Sequence, residues 1–392
     1  MIAIFLAPVY LLLNAYIFMW LIRYMNACTH FFHMTGVRMI ALAIYGFFAL
    51  SILLAFIFPA RWLKSLANLW FGSVLYILFT IAVVDFIRII LKYIIKIPPE
   101  ILSSRNLFVT AGTLCIIVIL SVSSYGYLHA RKIQTTKYAV TIQKKCDNHD
   151  SLKVVLTADF HLGYNMGNTE MGQMIKKINA QSPDLVLIAG DIFDNDFDAV
   201  KDPDRIAETL REIQSTYGVY ACYGNHDIQE KVLAGFTFGR KGKRESDPRM
   251  DAFLRDSDIV LLKDEGILID NSFYLIGRAD RRRPGRGIDK RKTPSELTEY
   301  LDKEKPIFVI DHAPYELEEL STEGVDLDLC GHTHDGQLFP GNLVMKLLWE
   351  NAYGYLKKGN MHNIVTSGVG VFGPNMRIGT KSEICSITVN FK

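Results

Sequence analysis

Four long apolar runs fill the first third of this 392-residue chain, over residues 2–22, 39–58, 66–84 and 107–125. Each has roughly the 17–25 residues that a helix needs to cross hydrocarbon. Pro59, Pro98 and Pro99 fall between runs, where helix breakers belong. A secretory signal would carry positive charge before its apolar stretch and small residues after it, whereas Arg23 follows the first run. Four such runs within 128 residues exclude a set of buried globular helices. Residues 1–128 are therefore expected to form a four-helix transmembrane block.

Charge divides the chain at the same place. Residues 1–128 hold 8 of the 43 Lys and Arg but 2 of the 41 Asp and Glu, so the two parts carry about +6 and −4. That balance excludes a disordered chain and a basic nucleic-acid binder. Loop charges put the first and third loops inside and the chain after the fourth run outside, giving a multi-pass cell-membrane protein that leans to the extracytoplasmic side. Arg131, Lys132, Lys137, Lys144 and Lys145 pull the other way. Arg88, Lys92 and Lys96 repeat every four residues, which would align them on one helical face at the membrane interface. Six cysteines in a chain this long make no disulfide framework. Cys222 and Cys330 read as small buried residues at strand ends.

Residues 129–149 form a short polar join, with alternation over 138–142 that suits an edge strand. From residue 150 to 392 strand-like and helical segments alternate, and polar residues collect just after the strands. Residues 152–156 precede Asp159-Phe160-His161, and 185–188 precede Gly190-Asp191-Ile192-Phe193-Asp194. Residues 219–222 lead to Gly224-Asn225-His226-Asp227, 307–310 to Asp311-His312, and 327–329 to Gly331-His332-Thr333-His334. Strand ends at one sheet edge bring distant residues together.

Carboxylates, imidazoles and an amide oxygen without thiolate are the donors of hard or borderline divalent ions. One carboxylate can bridge two ions, and such a pair clamps a phosphoryl group. Asp159, His161, Asp191, Asn225, His312, His332 and His334 supply that mixture. Gly-His-Thr-His would place two imidazoles on one side of an extended segment. Five of the ten histidines lie in these motifs.

The motif order resembles the calcineurin-like metallophosphoesterase superfamily over residues 150–392. Gly336-Gln337-Leu338, Thr366-Ser367-Gly368 and the glycines up to Gly373 extend the likeness towards a membrane-associated bacterial branch, which includes phosphodiesterases similar to UDP-2,3-diacylglucosamine pyrophosphatases. The resemblance implies an α/β domain of two packed β-sheets flanked by helices, with a site for two divalent ions (Mn, Fe or Zn) at the strand ends. It implies that Asp159, His161 and His334 hold one ion, that Asn225, His312 and His332 hold the other, and that Asp191 bridges. His226 would donate to the phosphate or protonate the leaving oxygen. Asp194 and Asp227 would orient histidines.

Residues 278–292 are rich in Arg and Lys, and Arg278, Arg281, Arg282, Arg283 and Arg286 are candidates to grip phosphate, because guanidinium forks match its oxygens. A second basic knot, 240–244, follows Phe236 and Phe238 and suggests an interfacial lid. The expected protein is a membrane-bound phosphoesterase, a phosphodiesterase or pyrophosphatase acting by metal-bound hydroxide. Its expected partners are the bilayer and a phosphorylated lipid or other phosphodiester; the negative second part argues against nucleic acid. Alternatives are a cytoplasmic nucleotide-lipid pyrophosphatase of the UDP-diacylglucosamine type and a non-catalytic metal-binding scaffold or sensor.

Overall fold

A computed structural model describes residues 2–58, 60–230, 232–233, 236–237 and 246–392. Pro59, Phe238 and the basic knot at 240–244 lie outside the described residues. The chain divides into two compact units, the first made of Met1–Leu128 with Val232–Phe236 and Gly373–Met376, the second of the remainder.

The first unit is built on α1 (Ile2–Cys28), α2 (Thr35–Ile57) and α3 (Arg61–Ile89), then the one-turn α4 (Pro99–Leu102) and α5 (Arg105–His129). The four long helices contain candidate membrane spans over Ala7–Cys28, Thr35–Ile57, Arg61–Ile94 and Arg105–His129, all reaching beyond the apolar runs. Several polar groups within the spans are paired, as hydrocarbon favours. Asn14 donates to Tyr10 O at 2.8 Å and accepts from the Tyr45 hydroxyl at 3.0 Å, while Trp70 Nε1 donates to the Tyr10 hydroxyl at 3.1 Å. These bonds staple α1, α2 and α3 together. Arg105 donates to Ala27 O and Cys28 O, closing the carbonyl end of α1. After α3 the helix widens into a π-turn over Ile90–Ile94, and Lys96 lies beyond it at φ +61°. The expected basic face therefore stops at Lys92, because Lys96 is no longer helical.

The second unit carries β1 (Ile133–Ile142), β2 (Ser151–Thr157), α6 (Asn168–Asn179), β3 (Leu185–Ala189), α7 (Pro203–Leu210) and β4 (Val219–Cys222). A two-strand ribbon, β5 (Val232–Leu233) and β6 (Phe236–Thr237), comes next in the sequence. There follow α8 (Pro248–Asp256), β7 (Ile259–Leu261), β8 (Glu265–Ile269), β9 (Phe273–Gly277), α9 (Pro294–Thr298), β10 (Ile307–Ile310), α10 (Leu317–Thr322) and β11 (Leu327–Cys330). The last elements are α11 (Gly341–Leu348), β12 (Gly354–Lys358), β13 (Met361–Val365) and β14 (Ser382–Phe391).

Two six-stranded mixed sheets result, ordered β1-β14-β2-β3-β4-β7 and β12-β13-β11-β10-β9-β8. Strands β3 and β10 run parallel to both of their neighbours and are apolar on both faces, as strands covered on both sides are. In β3, Leu185 and Leu187 face the layer between the sheets, where they meet Phe308 and Leu329. Val186 and Ile188 face the other way, into the cluster that α6, α7 and α8 cover with Met174, Ile206 and Phe253. Ile307 and Val309 of β10 pack instead with Leu317 and Leu320 of α10. Each strand so serves two cores, and its direction is fixed. All six cysteines are free thiols, and Cys222 and Cys330 are fully buried.

Candidate metal centre

The five motifs meet where β2, β3 and β4 of one sheet and β10 and β11 of the other end. Asp159 follows β2, Asp191 follows β3, Asn225 and His226 follow β4, His312 follows β10, and His332 and His334 follow β11. Asp159, His161, Asp191, His332 and His334 all adopt positive φ, between +47° and +74°. Asp and His tolerate that region better than most residues, but holding so many there needs support from the surroundings. Gly224 supplies part of it: a Cβ at this position would lie 2.6 Å from Asp191 N and 2.7 Å from His312 Cγ.

Two groups of donors form. In one, Asp159, His161 and His334 converge, with His161 Nε2 3.0 Å from His334 Nε2 and Asp159 Oδ1 3.7 Å from the latter. In the other, Asp191, His312 and His332 converge, and Asn225 joins through Oδ1, 3.2 Å from His312 Nε2. Asp191 Oδ2 stands 3.1 Å from His312 Nε2 and 3.8 Å from His161 Nε2, between the groups. A third, overlapping group joins His161, Asp194 and His226.

These donors fit a cation. His312 Nδ1 donates to Ala189 O at 2.9 Å, so Nε2 is the atom turned into the group. Burial opposes charge on this ring, but the Asp191 carboxylate outweighs it and raises the imidazole well above its usual range, so a proton on Nε2 stands where a metal cation would be shared. That nitrogen faces carboxylate and amide oxygens and, at 3.0 Å, His332 Nδ1. Electron-rich atoms crowded in this way repel one another until a cation is shared among them. Burial opposes charge on His226, His332 and His334, lowering the first to about 4, the second to about 3 and the third well below the usual imidazole range. Neutral imidazole is the ligand form. Burial also raises both carboxyls. For Asp191 the imidazoles of His312 and His226 outweigh it and hold the group well below the usual range, while Asp159 is pushed up to about 6.

Other residues depart from what the sequence suggests. The His332–His334 segment is not extended: His332 and His334 are both left-handed, and their side chains serve different groups. Asp194 Oδ1 lies 3.6 Å from His161 Nδ1, on the correct ring but beyond a full hydrogen bond. Asp227 orients no imidazole. Its two oxygens accept from Phe193 N at 2.8 Å and Gly224 N at 2.7 Å, so it braces the backbone of two motif loops. The group that positions His226 is Asn195, whose Oδ1 pairs with His226 Nδ1. Asn195 directly follows Asp194, which was the available signal. Arg377, fully buried, reaches His334 Nδ1 at 3.2 Å and donates to Ser367 O and Gly370 O. Nothing in its local sequence marks it.

The basic run separates by depth. Arg278 is fully buried and bonded to Asp311 at 3.1 Å and Glu316 at 2.6 Å, so it is not a substrate ligand. A buried guanidinium needs carboxylates around it. Arg286 is directed at Ser246 O. Arg283 donates to Asn225 O at 2.7 Å and pairs with Glu230. Arg281 lies over the Tyr315 ring at 4.9 Å, and the exposed Arg282 is near enough to His332 to oppose its protonation. Phe372, 4.5 Å from the His226 ring, and Trp349, 5.3 Å from the His332 ring, line the two ends.

Residues 152–336 match the calcineurin-like phosphoesterase family. The second unit carries a calcineurin-like metallophosphoesterase domain. An uncharacterized metallophosphoesterase of Campylobacter jejuni is 25% identical over 391 residues, covering 97% of this chain and 96% of its own. One from Aquifex aeolicus is 26% identical over 272 residues, 69% of this chain and 96% of that protein. A Danio rerio protein named a transmembrane protein with metallophosphoesterase domain is 27% identical over 300 residues, 74% of this chain; the match spans 64% of the Danio rerio protein. The domain is thus that of a phosphoesterase hydrolase, in a family that uses divalent metals, and the four apolar helices support membrane association.

Proposed function

We propose that this metallophosphoesterase hydrolyses a phosphodiester or pyrophosphate on a lipid-linked substrate, with two divalent ions. The observation that carries this reading is the position of Asp191 Oδ2 between two histidine-containing groups. Asp159, His161 and His334 would hold one ion, and Asn225, His312 and His332 the other, with Asp191 common to both. Such ions would polarise phosphoryl oxygens and lower the pKa of a bound water towards neutrality. The donors suit Mn, Fe or Zn.

The remaining work belongs to side chains. His226 gives its Nδ1–H to Asn195, so the neutral ring carries its lone pair on Nε2. A phosphate anion beside it favours the imidazolium, which can then deliver a proton to the leaving oxygen. Asp194, 3.6 Å from His161 Nδ1, acts on that ring through charge rather than a full hydrogen bond. Arg282 and Arg281, at the rim, offer charge to a phosphate arriving at His332. Phe372 and Trp349 restrict water at either end of the site.

The test uses the full chain in vesicles with Mn²⁺, assayed on bis-p-nitrophenyl phosphate and on a phosphodiester lipid. Turnover should vanish with chelator and return with metal. Asp191→Asn should lower kcat/KM by about 10³-fold or more and reduce bound metal. Full activity in that variant would overturn the reading. We also propose an extracytoplasmic domain. Cys146 is buried, so sidedness is better read by labelling Tyr300→Cys, a position 87% exposed.

A further inference from the structure

Helix α11 turns its apolar side outward. Leu343, Val344, Leu347 and Leu348 are 51%, 48%, 87% and 68% exposed. Their spacing places them on one helical face, the arrangement that ordinarily packs into a core. Gly341, Asn342 and Met345 take up the half-buried side instead. Phe339, also exposed, precedes the helix, and Lys346 is its one charge, with no acidic residue in its first turn. Trp349 ends the helix, packing on Tyr315 at 4.7 Å and on His332 at 5.3 Å between ring centroids. The exposed face therefore runs up to a candidate metal ligand.

A contiguous outward patch of this kind needs a covering surface. Lipid is the partner the chain itself supplies. It carries four candidate spans, and only three residues separate the end of α5 at His129 from the start of β1 at Ile133. A short helix with one apolar face and a lone lysine, whose stem can lie along that face while its ammonium meets headgroup phosphate, has the chemistry of an interfacial helix.

We propose that α11 lies in the bilayer interface, with Leu343, Val344, Leu347 and Leu348 among the acyl chains, and presents the phosphoester of a lipid to the residues beside Trp349. Its substrate part rests on the phosphoesterase reading; its membrane part does not. The lipid class expected is one with an apolar tail in the leaflet and its scissile phosphorus at headgroup depth.

The experiment places an environment-sensitive fluorophore at Leu347→Cys in the full chain. The background is Cys28→Ser, which removes the one native thiol that is not buried. Tyr300→Cys is the control. In vesicles containing phosphatidylcholine and phosphatidylglycerol, the Leu347 label should emit to the blue and lose at least about half its intensity to doxyl-labelled lipid, and the Tyr300 label should do neither. The Leu347→Asp/Leu348→Asp double variant should lose about tenfold in kcat/KM on vesicle-borne phosphodiester, through KM, with bis-p-nitrophenyl phosphate turnover unchanged. A Leu347 label quenched no more than the control overturns the proposal. So does a blue shift without lipid quenching, which would mean that a second copy covers the face. A quenched Leu347 label in a chain with no phosphodiester turnover upholds the interfacial helix and removes the phosphoesterase reading alone.

Discussion

Replacing Arg278 by Met tests whether the buried part of the basic run is architectural. The guanidinium is fully buried and makes charge-assisted bonds to Asp311 and Glu316. A hydrogen bond to a charged group contributes about 1.5–3 kcal/mol. The Asp311 bond should count nearly in full, because that carboxylate has a side-chain exposure of 1%. The Glu316 bond counts for less, since water reaches a side chain that is 26% exposed. Arg291 remains 3.0 Å from Asp311, so the anion is not left alone and the loss stays at the lower end of the ~3–5 kcal/mol expected for a broken buried pair. About 3 kcal/mol follows, or roughly 6–12 °C in Tm for a domain of this size. The assay is a thermal melt of the full chain in micelles, with bis-p-nitrophenyl phosphate turnover measured well below the midpoint. Arg281→Met, an exposed guanidinium on a tyrosine ring, should move Tm by no more than about 2–4 °C. A variant that melts with the parent but loses activity would refute the reasoning and return Arg278 to the substrate.

Gly224→Ala should cost most of the bound metal, read by elemental analysis, and at least about tenfold in kcat/KM, because its methyl group meets Asp191 N and His312 Cγ. Asn195→Ala frees the His226 ring; kcat should fall about 10–100-fold with KM little changed, and its pH profile should shift, whereas metal content should hold. Without metal, the contribution of His226 to stability should decline as the pH falls from about 6.5 towards 4, because the unfolded chain takes up a proton there that the folded site refuses. Asp159 and Asp227, raised by burial to about 6 and about 7, pull the total the other way. Denaturant midpoints of chelated parent and His226→Phe at several pH values check this; a difference between them that does not shrink as the pH falls contradicts it.

Much of the architecture could be read from residue order, because each motif follows an apolar strand and parallel strands gather their ends on one edge. Asp159, His161, Asp191, Asn225, His312, His332 and His334 do come together. What escaped was set by tertiary context. Asp227 looked like a partner for histidine because of its neighbours, yet two backbone N–H groups claim its oxygens. Arg278 and Arg282 belong to one basic stretch, and only depth separates an ion-paired brace from a rim charge. The His332–His334 pair suggested a strand-like spacing, but positive φ at both residues directs the rings apart. Arg377 approaches His334 from 43 positions away, a distance no local pattern spans.

The division of the donors between the sheets has a mechanical corollary. Asp159, Asp191 and Asn225 sit at the ends of one sheet, and His312, His332 and His334 at the ends of the other. Any ion held there acts as a rivet through both layers, and neither layer cut free could carry half a centre. Withdrawing it should let that rim of the sandwich gape, so that proteases nick the loops around residues 225 and 333 before the distant edges loosen.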